Sequence, residues 1–434
     1  MKSSPIALGP IAYLAQTFPG LTTVYREVLA LRSKGLSVRT FATWQTPTQE
    51  VSREARELIG QTFYIFPMRW FAFLKAHATY LLTKPLAYLG ALAFVLTRPD
   101  QSLTKRRRTL FHFAEAVYLA AEIEKQRIRH IHVHFALNAT TLALIIERLT
   151  GVPFSFTAHA NDIFADQVIL KEKIQAARFI VAISEYNKRF LVEYSGDPAI
   201  ADKIHVIHAG IPFTDFSPDA HPARTPASPP LILSVGRMVE KKGFPFLIRA
   251  CKHLYDQGHR VRCVIIGAGT QEAALRRMIH DLGMEDWIEL PGWLDQTEIK
   301  TFLKKATVFV LPCVVAADGD RDGIPAVLME AMAMAIPCVS TTISGIPELI
   351  ADDHSGLLVP EKDEIALAGA LRRLLDDPQL AHRLGQDGRE KVRRAFNVDH
   401  IADQLFRLFA NELAQTDSAV QSLTTTLSHA KSKK

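Results

Sequence analysis

The sequence predicts an α/β protein with two doubly wound parallel sheets, each in a domain of its own. Short apolar runs of strand length alternate with amphipathic runs of helix length, which is the pattern of parallel sheets with crossover helices. The 434 residues are too many for one ordinary hydrophobic core. Residues 217–230 contain five prolines and divide the chain into halves of similar length, so we predict a linker there.

The first predicted domain spans residues 1–216. Its strands are short, mostly apolar runs bounded by polar residues, Gly or Pro, and glycine follows two of its helices, as is common just past a helix end. The predicted strands cover residues 6–14, 36–41, 131–135, 154–158, 179–183 and 205–208. The predicted helices cover residues 22–34, 110–126 and 138–149.

Residues 69–108 are the most basic and most aromatic stretch of the chain. They carry eight Lys or Arg and one acid, Asp100, a net charge of +7 in a chain whose total is +6. Six aromatic side chains lie among them. The longest uninterrupted apolar run, residues 85–96, is shorter than the about 20 residues that a spanning helix needs. We therefore predict that residues 63–108 form a helical insertion and exclude a transmembrane span.

This basic-aromatic insertion predicts a surface that contacts a membrane. Helices of this composition commonly lie in the membrane interface, and clustered cations attract anionic lipid. A helical insertion packed on the first domain, with its basic face in solvent, is the alternative. Nucleic acid is not expected as a partner, because no recognition motif accompanies the charge.

The second predicted domain spans residues 231–394 and repeats the alternation of strands and helices. Its predicted strands cover residues 231–235, 261–266, 288–290, 308–311 and 338–341. Residues 395–414 follow as an amphipathic helix. Residues 415–434 are rich in Ser, Thr and Lys and are predicted as a disordered tail.

The cysteines predict a reducing compartment. The hydrophobic fraction of 48% is that of a globular chain. The cysteines have no C-x-x-C spacing, and each lies in an apolar run, which indicates buried thiols and fits a cytoplasmic location. No signal peptide is visible at the N-terminus. The four are Cys251, Cys263, Cys313 and Cys338.

An acidic segment of the second domain predicts a ligand pocket. A helix is predicted for residues 326–335, with proline in its first turn, where the missing N–H costs little. The N–H groups at a helix start bind anions, and two carboxylates suit a hydroxyl-rich ligand, so we predict a pocket for a phosphorylated sugar. A core helix with a capped start is the alternative. The segment comprises Asp322, Gly323, Ile324, Pro325 and Glu330.

A basic loop follows the first strand of the same domain. Arg237 supplies a forked donor and Lys242 a point charge, a pair suited to a diphosphate. Gly236 and Gly243 let the backbone approach a neighbour closely. A solvated basic turn is the alternative interpretation.

These two segments resemble retaining family-4 glycosyltransferases of the GT-B fold. Residues 322–333, D-G-I-P-x4-E-A-M-A, are similar to the family's E-G-x-P-x4-E-A-M-A signature, although Asp322 stands where the family usually has the longer Glu. Residues 236–243 are similar to its G-R-x-x-x-x-K-G element. The runs at 316–320 and 344–349 resemble the colanic acid and amylovoran type, and the resemblance covers most of residues 5–410.

The resemblance implies two Rossmann-like domains that face each other across a cleft, with the helix at residues 395–414 crossing back to the first domain. It also implies that Arg237 and Lys242 hold the donor's diphosphate and offset the charge of the leaving group. These cations stand in for a divalent metal, so neither a metal nor another cofactor is expected. Residues 318–320 match the letters of a D-x-D metal site but resemble the loop before the family's acidic signature.

Several residues outside the second domain's two loops also resemble family elements. Residues 159–163 resemble H-x-x-D-I, whose histidine approaches the transferred sugar and the acceptor, and His159 would end a strand, where open α/β sheets bind ligands. A structural histidine is the alternative. The resemblance places Asn161, Asp162 and Glu185 on the acceptor side, Gly20 near the diphosphate and acceptor, and Trp293 beside the donor's base. A tryptophan in the core or at its edge is the alternative for Trp293.

His132 and His134 alternate along one predicted strand, so both imidazoles should point to one face. This spacing can bind a metal. The segment also resembles the family's H-x-H-F-A run, which is not a metal site, and we favour a structural or acceptor-side role.

The sequence therefore predicts a retaining, metal-independent glycosyltransferase. It would move a hexose from a nucleotide diphosphate sugar to a glycan or lipid-linked oligosaccharide, at the inner face of the cytoplasmic membrane, in cell-surface exopolysaccharide or lipopolysaccharide synthesis. One alternative is an enzyme like a nucleotide-sugar epimerase, which the basic-aromatic insertion argues against. The other is a catalytically weakened carbohydrate-binding protein, which rests only on Asp at position 322.

Overall fold

The protein forms two compact units in a computed structural model. The structure describes residues 9–48, 51, 55–97, 102–165, 167–216 and 228–431, with side chains along the last helix to residue 414. Unit 1 comprises Met1–Ala182, Phe190–Ile207 and Ala402–Lys434, and unit 2 comprises Ile183–Arg189 and His208–Ile401. Most of the predicted linker, residues 217–227, lies outside the described residues.

Unit 1 is built on a seven-stranded sheet. Its strands are β1 (Ile11–Phe18), β2 (Val38–Gln45), β3 (Thr62–Tyr64), β4 (His130–His134), β5 (Phe154–Ala158), β6 (Ile180–Ala182) and β7 (Ile204–Val206). Their order is β3-β2-β1-β4-β5-β6-β7, and every neighbouring pair is parallel. The order reverses between β1 and β4, as in a doubly wound fold.

The first nine helices of the described chain, and its last helix, accompany this sheet. They are α1 (Thr22–Ser33), α2 (Arg56–Gln61), α3 (Trp70–Thr83), α4 (Pro85–Leu96), α5 (Leu103–Lys125), α6 (Asn138–Thr150), α7 (Asn161–Phe164), α8 (Leu170–Ala176), α9 (Glu185–Ser195) and α17 (Val398–Lys431). Phe409 of α17 is fully buried, with its ring 5.1 Å from that of His132 and 5.8 Å from that of Phe179. The part of α17 within unit 1 therefore covers one face of the sheet.

The basic-aromatic insertion forms α3, α4 and the start of α5. Among the described residues, no single helix has the length and hydropathy of a membrane span. In this part of the chain, only α3 and α4 together have that length and hydropathy, and the helix axis bends by 111° between the two. The bend falls at Lys84, directly before Pro85 begins α4, because proline disfavours helical backbone at the preceding residue.

Unit 2 is built on a six-stranded sheet. Its strands are β8 (Leu231–Val235), β9 (Arg262–Ile266), β10 (Ile288–Gly292), β11 (Val308–Leu311), β12 (Cys338–Thr341) and β13 (Leu357–Val359). Their order is β10-β9-β8-β11-β12-β13, with parallel pairing throughout. Its helices are α10 (Phe244–Asp256), α11 (Glu272–Asp281), α12 (Gln296–Lys305), α13 (Ala326–Ala333), α14 (Ile346–Leu349), α15 (Glu364–Asp376) and α16 (Pro378–Ala395), with short 3₁₀ turns at Phe213–Phe216 and Glu240–Lys242. A further 3₁₀ turn, Pro198–Lys203, belongs to unit 1.

Several element boundaries differ from the sequence predictions. The strand predicted for residues 6–14 is Ile11–Phe18, and residues 1–8 lie outside the described residues. Helix α5 begins at Leu103, seven residues earlier than predicted, because the Ser102 hydroxyl accepts a hydrogen bond from the Lys105 N–H at 3.3 Å. The last helix continues to Lys431, where we expected a disordered tail, and residues 432–434 lie outside the described residues.

Close approach of two loops in unit 2 depends on Gly243. This residue has φ +68°, and a Cβ there would lie 1.9 Å from the carbonyl oxygen of Pro312. We expect Gly243→Ala to lower the urea midpoint of unit 2 strongly, because it adds a backbone clash to the cost of a left-handed conformation, which alone is about 1–2 kcal/mol.

The matched control is Gly283→Ala. Gly283 also has a left-handed φ of +62°, but nothing lies within 4 Å of its Cβ position. Gly283→Ala should carry only the cost of the left-handed conformation, without a clash. Equal shifts of the urea midpoint in the two variants would therefore contradict the steric account.

Candidate functional site

The predicted donor residues of unit 2 meet at the point where its strand order reverses. The basic loop follows β8 and the acidic segment follows β11, and these strands are neighbours in the sheet. Loops at the carboxyl ends of strands on either side of such a reversal form the ligand site of open α/β sheets. The basic loop and the acidic segment, about 80 residues apart in the sequence, therefore contact each other directly.

An ion-pair cluster joins the two loops. The Nζ of Lys242 lies 2.7 Å from Oδ2 of Asp322. The Nζ of Lys241 lies 2.9 Å from Oδ2 of Asp320 and 3.7 Å from Oδ1 of Asp322. The Cys313 thiol donates to Oδ2 of Asp322 at 3.3 Å. The cluster therefore holds two cations, two carboxylates and one thiol. Lys241, Asp320 and Cys313 were not predicted as members of it.

Burial and charge act in opposite directions on this cluster. Burial raises the pKa of Asp322, but Lys242 and Lys241 outweigh it and hold the pKa below its usual value. Burial lowers the pKa of Lys242, but Asp322 outweighs it and raises the pKa, with Arg237 opposing. Burial raises the pKa of Cys313, and the Asp322 charge adds to this. At neutral pH the pair is therefore ionised and the thiol is protonated.

The other residues predicted on the donor side differ in their exposure to solvent. Gly323, Ile324 and Pro325 are buried, Glu330 of α13 is half-buried and Arg237 is exposed. Pro325 is the N-cap of α13, with ψ 125°, and not a residue of its first turn, and the helix ends at Ala333 rather than at residue 335. Trp293 follows β10 with 75% of its side chain exposed, so it is not a core residue.

The loop before Asp322 is held by carboxylates. Glu361 accepts from the Val315 N–H at 2.7 Å, and Glu240 accepts from the Ala317 N–H at 3.1 Å. Oδ1 of Asp318 accepts from the Asp320 N–H at 2.9 Å. Asp318 and Asp320 thus act within the loop, one as a turn acceptor and the other as the partner of Lys241.

Glu185, predicted on the acceptor side, belongs to unit 2 rather than to the first unit. The Glu348 carboxylate accepts from the backbone N–H groups of Glu185 at 2.9 Å and Tyr186 at 3.0 Å. It also pairs with Nε2 of His208 at 3.2 Å. Burial raises the pKa of Glu348, but these hydrogen bonds outweigh it and lower the pKa. Glu348 therefore caps the start of α9. This role was not predicted, although Glu348 lies in the run at 344–349.

The predicted acceptor-side residues of unit 1 lie after β4 and β5. Asp162 is fully buried, and its carboxylate accepts from the N–H groups of Ala136 at 2.7 Å and His159 at 3.1 Å. The Asp162 side chain thus joins the loops that follow β4 and β5. Asn161 and Gly20 are exposed, and the ring of His159 stacks on that of Phe135 with centroids 4.1 Å apart.

His134 and Glu27 connect to His159. Nδ1 of His134 lies 3.2 Å from Nε2 of His159, and Nε2 of His134 lies 3.1 Å from Oε1 of Glu27. His132 bonds instead to the hydroxyls of Ser155 at 2.8 Å and Thr157 at 3.0 Å. Ligand atoms of Glu27, His132 and His134 lie within 4.8 Å of one another. Both ring nitrogens of His132 and both ring nitrogens of His134 therefore lie within hydrogen-bond distance of these partners.

Both units match models of known protein families. Residues 22–214 match the family described as Glycosyltransferase Family 4, and residues 218–391 match the one described as Glycosyl transferases group 1. Together they cover most of the chain.

The curated relatives include polysaccharide enzymes. The chain is 46% identical over 209 residues to the putative colanic acid biosynthesis glycosyltransferase WcaL of Escherichia coli (strain K12), covering 48% of this chain and 51% of that one. It is 45% identical over 202 residues to the amylovoran biosynthesis glycosyltransferase AmsK of Erwinia amylovora, covering 46% of this chain and 49% of that one. The chain thus spans about half the length of these curated relatives.

A solved structure shares the fold. Alr3699/HepE of Anabaena, in complex with UDP, superimposes with a TM-score of 0.67 at 15% identity, covering 93% of this chain and 100% of that one. Two parallel α/β units, the family matches and this superposition lead to one conclusion: the chain belongs to the glycosyltransferases of the GT-B fold, with a Family 4 region followed by a group 1 region.

Proposed function

We propose that the protein is a retaining, metal-independent glycosyltransferase. It transfers a hexose from a nucleotide diphosphate sugar to a glycan or lipid-linked acceptor in exopolysaccharide synthesis. The observation that carries the proposal is the ion pair of Lys242 and Asp322 at the strand reversal of unit 2. The colanic acid and amylovoran relatives support the pathway class.

The cations of unit 2 suit a nucleotide diphosphate. HepE was solved with UDP, and we assign the same class of ligand to this chain. Lys242 stays protonated because Asp322 raises its pKa against the effect of burial, and exposed Arg237 adds a forked donor. Fixed positive charge at the departing diphosphate lowers the barrier without a metal.

The carboxylates suit the sugar. Asp322 and Glu330 are acceptors for sugar hydroxyls, and Asp322 is held by Lys242 and Cys313 at 2.7 and 3.3 Å. These contacts favour Asp322 as a positioning group over a nucleophile. We therefore assign no protein nucleophile and favour attack on the sugar face that the diphosphate leaves. For His159 of unit 1 we propose a role in binding the acceptor.

The basic-aromatic insertion supports a membrane location. Of the fifteen exposed large apolar side chains that the structure describes, eleven lie between residues 70 and 111. On α3, Phe71 and Leu82 are 85% and 80% exposed, and Leu86 of α4 is 88% exposed. Ala76 and Tyr80, on the other side of α3, are buried. An apolar face turned outward, with exposed Lys75 and Arg107 nearby, fits an anionic bilayer, so we place the enzyme at the inner face of the cytoplasmic membrane.

A ligand screen tests the proposed function. We expect one class of nucleotide diphosphate to raise the melting temperature of the purified chain, with and without EDTA, since bound ligand stabilises by RT ln(1 + [L]/Kd). Lys242→Ala and Glu330→Ala should each reduce donor binding or sugar transfer by at least about tenfold, a loss of ~1.4 kcal/mol. The anomeric configuration of the product, read by NMR, tests retention.

Lys305→Ala is the control for the loss of one lysine, because Lys305 is exposed at the end of α12 in the same unit. It should behave as wild type. Wild-type kinetics in both site variants would place the site elsewhere, loss of binding in EDTA would contradict metal independence, and an inverted product would contradict retention.

The charge of Asp322 predicts a pH dependence of stability. Its pKa in the folded protein lies below the usual 3.8, so ionisation favours the folded state and the gain is complete above the usual pKa. We expect Asp322→Asn to lower the free energy of unfolding by about 3 kcal/mol at pH 7, the lower end for breaking a buried pair. The difference should shrink as the pH falls through the folded-state pKa, as measured by denaturant unfolding from pH 3 to 7.

Asp281→Asn is the matched control, because Asp281 is exposed at the end of α11. It should change stability by less than about 0.5 kcal/mol at every pH. A pH-independent loss in Asp322→Asn would contradict the electrostatic account.

Vesicle flotation tests the membrane surface. The full chain should float with vesicles containing phosphatidylglycerol and less with neutral phosphatidylcholine vesicles. Leu82→Ser with Leu86→Ser should reduce flotation at least about fivefold, because each leucine contributes about 1.5–3 kcal/mol of apolar transfer when fully buried.

Ile365→Ser serves as the control, since Ile365 is 62% exposed on α15 of unit 2. It should leave flotation unchanged. Equal flotation of the double variant and wild type would contradict the proposed surface.

A further inference from the structure

Three aromatic side chains of unit 1 form a ring stack at the protein surface. The ring centroids of Trp44 and Phe66 lie 4.3 Å apart, with the planes 13° from parallel. The ring of Phe111 lies 6.2 Å from that of Phe66 and 10° from parallel. Trp44 is 49% exposed and Phe111 is 53% exposed, while Phe66 between them is half-buried. None of the three was singled out in the sequence.

The stack lies at the edge of the sheet where open α/β folds bind their ligands. Trp44 is the penultimate residue of β2, and Phe66 follows the end of β3 by two residues. The Phe66 N–H donates to the Thr43 carbonyl oxygen at 3.1 Å, which keeps the backbone of Phe66 beside β2. Both rings therefore lie at the carboxyl ends of parallel strands, which is the ligand edge.

Polar side chains border the ring of Trp44. Thr17 of β1 is the register partner of Trp44, and partners in parallel strands point to the same face of the sheet. Thr17 and Gln45 are exposed. Thr46 is only 6% exposed, and its Oγ1 has no hydrogen-bond partner among the described residues. That oxygen lies 2.8 Å from the position of a Cβ at Gly20, which the sequence places near the acceptor.

An aromatic face beside hydroxyl and amide groups suits a sugar ring. The C–H bonds on one face of a pyranose form an apolar patch with a slight positive charge, and the face of an aromatic ring is negative. The hydroxyls at the rim of the sugar need hydrogen-bond partners when water is displaced. Phe66 covers one face of the indole of Trp44, so a ligand would stack on the opposite face, which we call the outer face.

We propose that the outer face of Trp44 is a subsite for the acceptor glycan. A neutral pyranose unit packs its C–H face on the indole, and Thr17 and Gln45 form hydrogen bonds with its hydroxyls. Phe66 and Phe111 support the indole from behind. The inference rests on the proposed transfer function and names the part of unit 1 that binds a sugar of the acceptor.

A lipid surface is the competing occupant, because Phe111 lies in the same stretch as the apolar side chains that we assign to the membrane. Most of the exposed large apolar side chains on α3 and α4 are leucines. Trp44 differs from them, because it belongs to a parallel ring stack and has exposed hydroxyl and amide groups beside it. An acyl chain offers no hydrogen bond to those groups, so the surroundings of Trp44 favour a sugar.

Fluorine NMR of the full chain labelled with fluorotryptophan tests the inference, with lactose as the probe. The chain has four tryptophans, and Trp44→Phe assigns the signal of Trp44. We expect millimolar lactose to shift that signal in a saturable way and to leave the signal of Trp70 in place. Trp70 is the internal reference, because it is 68% exposed on α3 and meets Phe73 edge-on at 79°.

Variants test whether the ring itself binds the sugar. Trp44→Ala should weaken lactose binding, measured by saturation transfer to the sugar protons, at least about fivefold, because it removes the stacking surface. Trp44→Phe should recover most of the binding, because it keeps an aromatic face. Trp70→Ala is the matched control and should bind lactose as wild type does. UDP affinity should not change in any of the three, because we assign the nucleotide to unit 2.

Two results would overturn the inference. The first is a Trp44 signal that lactose leaves in place, and a shift of this signal with phosphatidylglycerol vesicles alone would assign the stack to the membrane surface. This result needs only wild type and the conservative Trp44→Phe. The second is a Trp44→Ala chain that binds lactose as tightly as wild type. A chain that binds lactose at Trp44 but transfers no sugar contradicts the proposed function instead.

Discussion

The ion pair between Lys242 and Asp322 is the interaction on which the site of unit 2 depends. Both groups are largely removed from water, and an isolated charge in that position would cost several kcal/mol. Each loop therefore needs the charge of the other loop to offset the cost of burying its own. The close approach of Gly243 to the Pro312 carbonyl sets the spacing, and the pairing of β8 with β11 brings the loops to the same edge of the sheet. A diphosphate would thus meet charges whose positions are fixed before it arrives.

The sequence predicted the strands and loops of this site because their signals are local. A run of apolar residues predicts a buried strand, and the Asp-Gly-Ile-Pro turn predicts the helix that follows. It did not predict the partner that lies far away in the chain, Lys241 for Asp320, which is 79 residues distant. Nothing in the local pattern of either segment states which residues will face each other, since that depends on strand order.

The same limit explains the differences in the rest of the fold. Strands β3, β6, β7 and β13 have three residues each, too few to produce a periodic pattern, and of these β3 and β13 were not predicted. Glu185 was assigned to the first domain by its position in the chain, whereas contacts with Glu348 place its segment in unit 2. His159 could be singled out by resemblance, but its connection through His134 to Glu27 of α1 is recognisable only in three dimensions.

The outward-facing leucines of α3 and α4 have a kinetic consequence. On the proposed bilayer surface, an enzyme held by the bend between α3 and α4 would no longer search a volume for the proposed lipid-linked acceptor. Both molecules diffuse in one plane, and confinement raises their effective concentration in the way that tethering two modules does. A weak intrinsic affinity for the acceptor then suffices for rapid transfer, and a finished product can leave readily. The rate of the enzyme would follow the surface density of its acceptor rather than the bulk concentration.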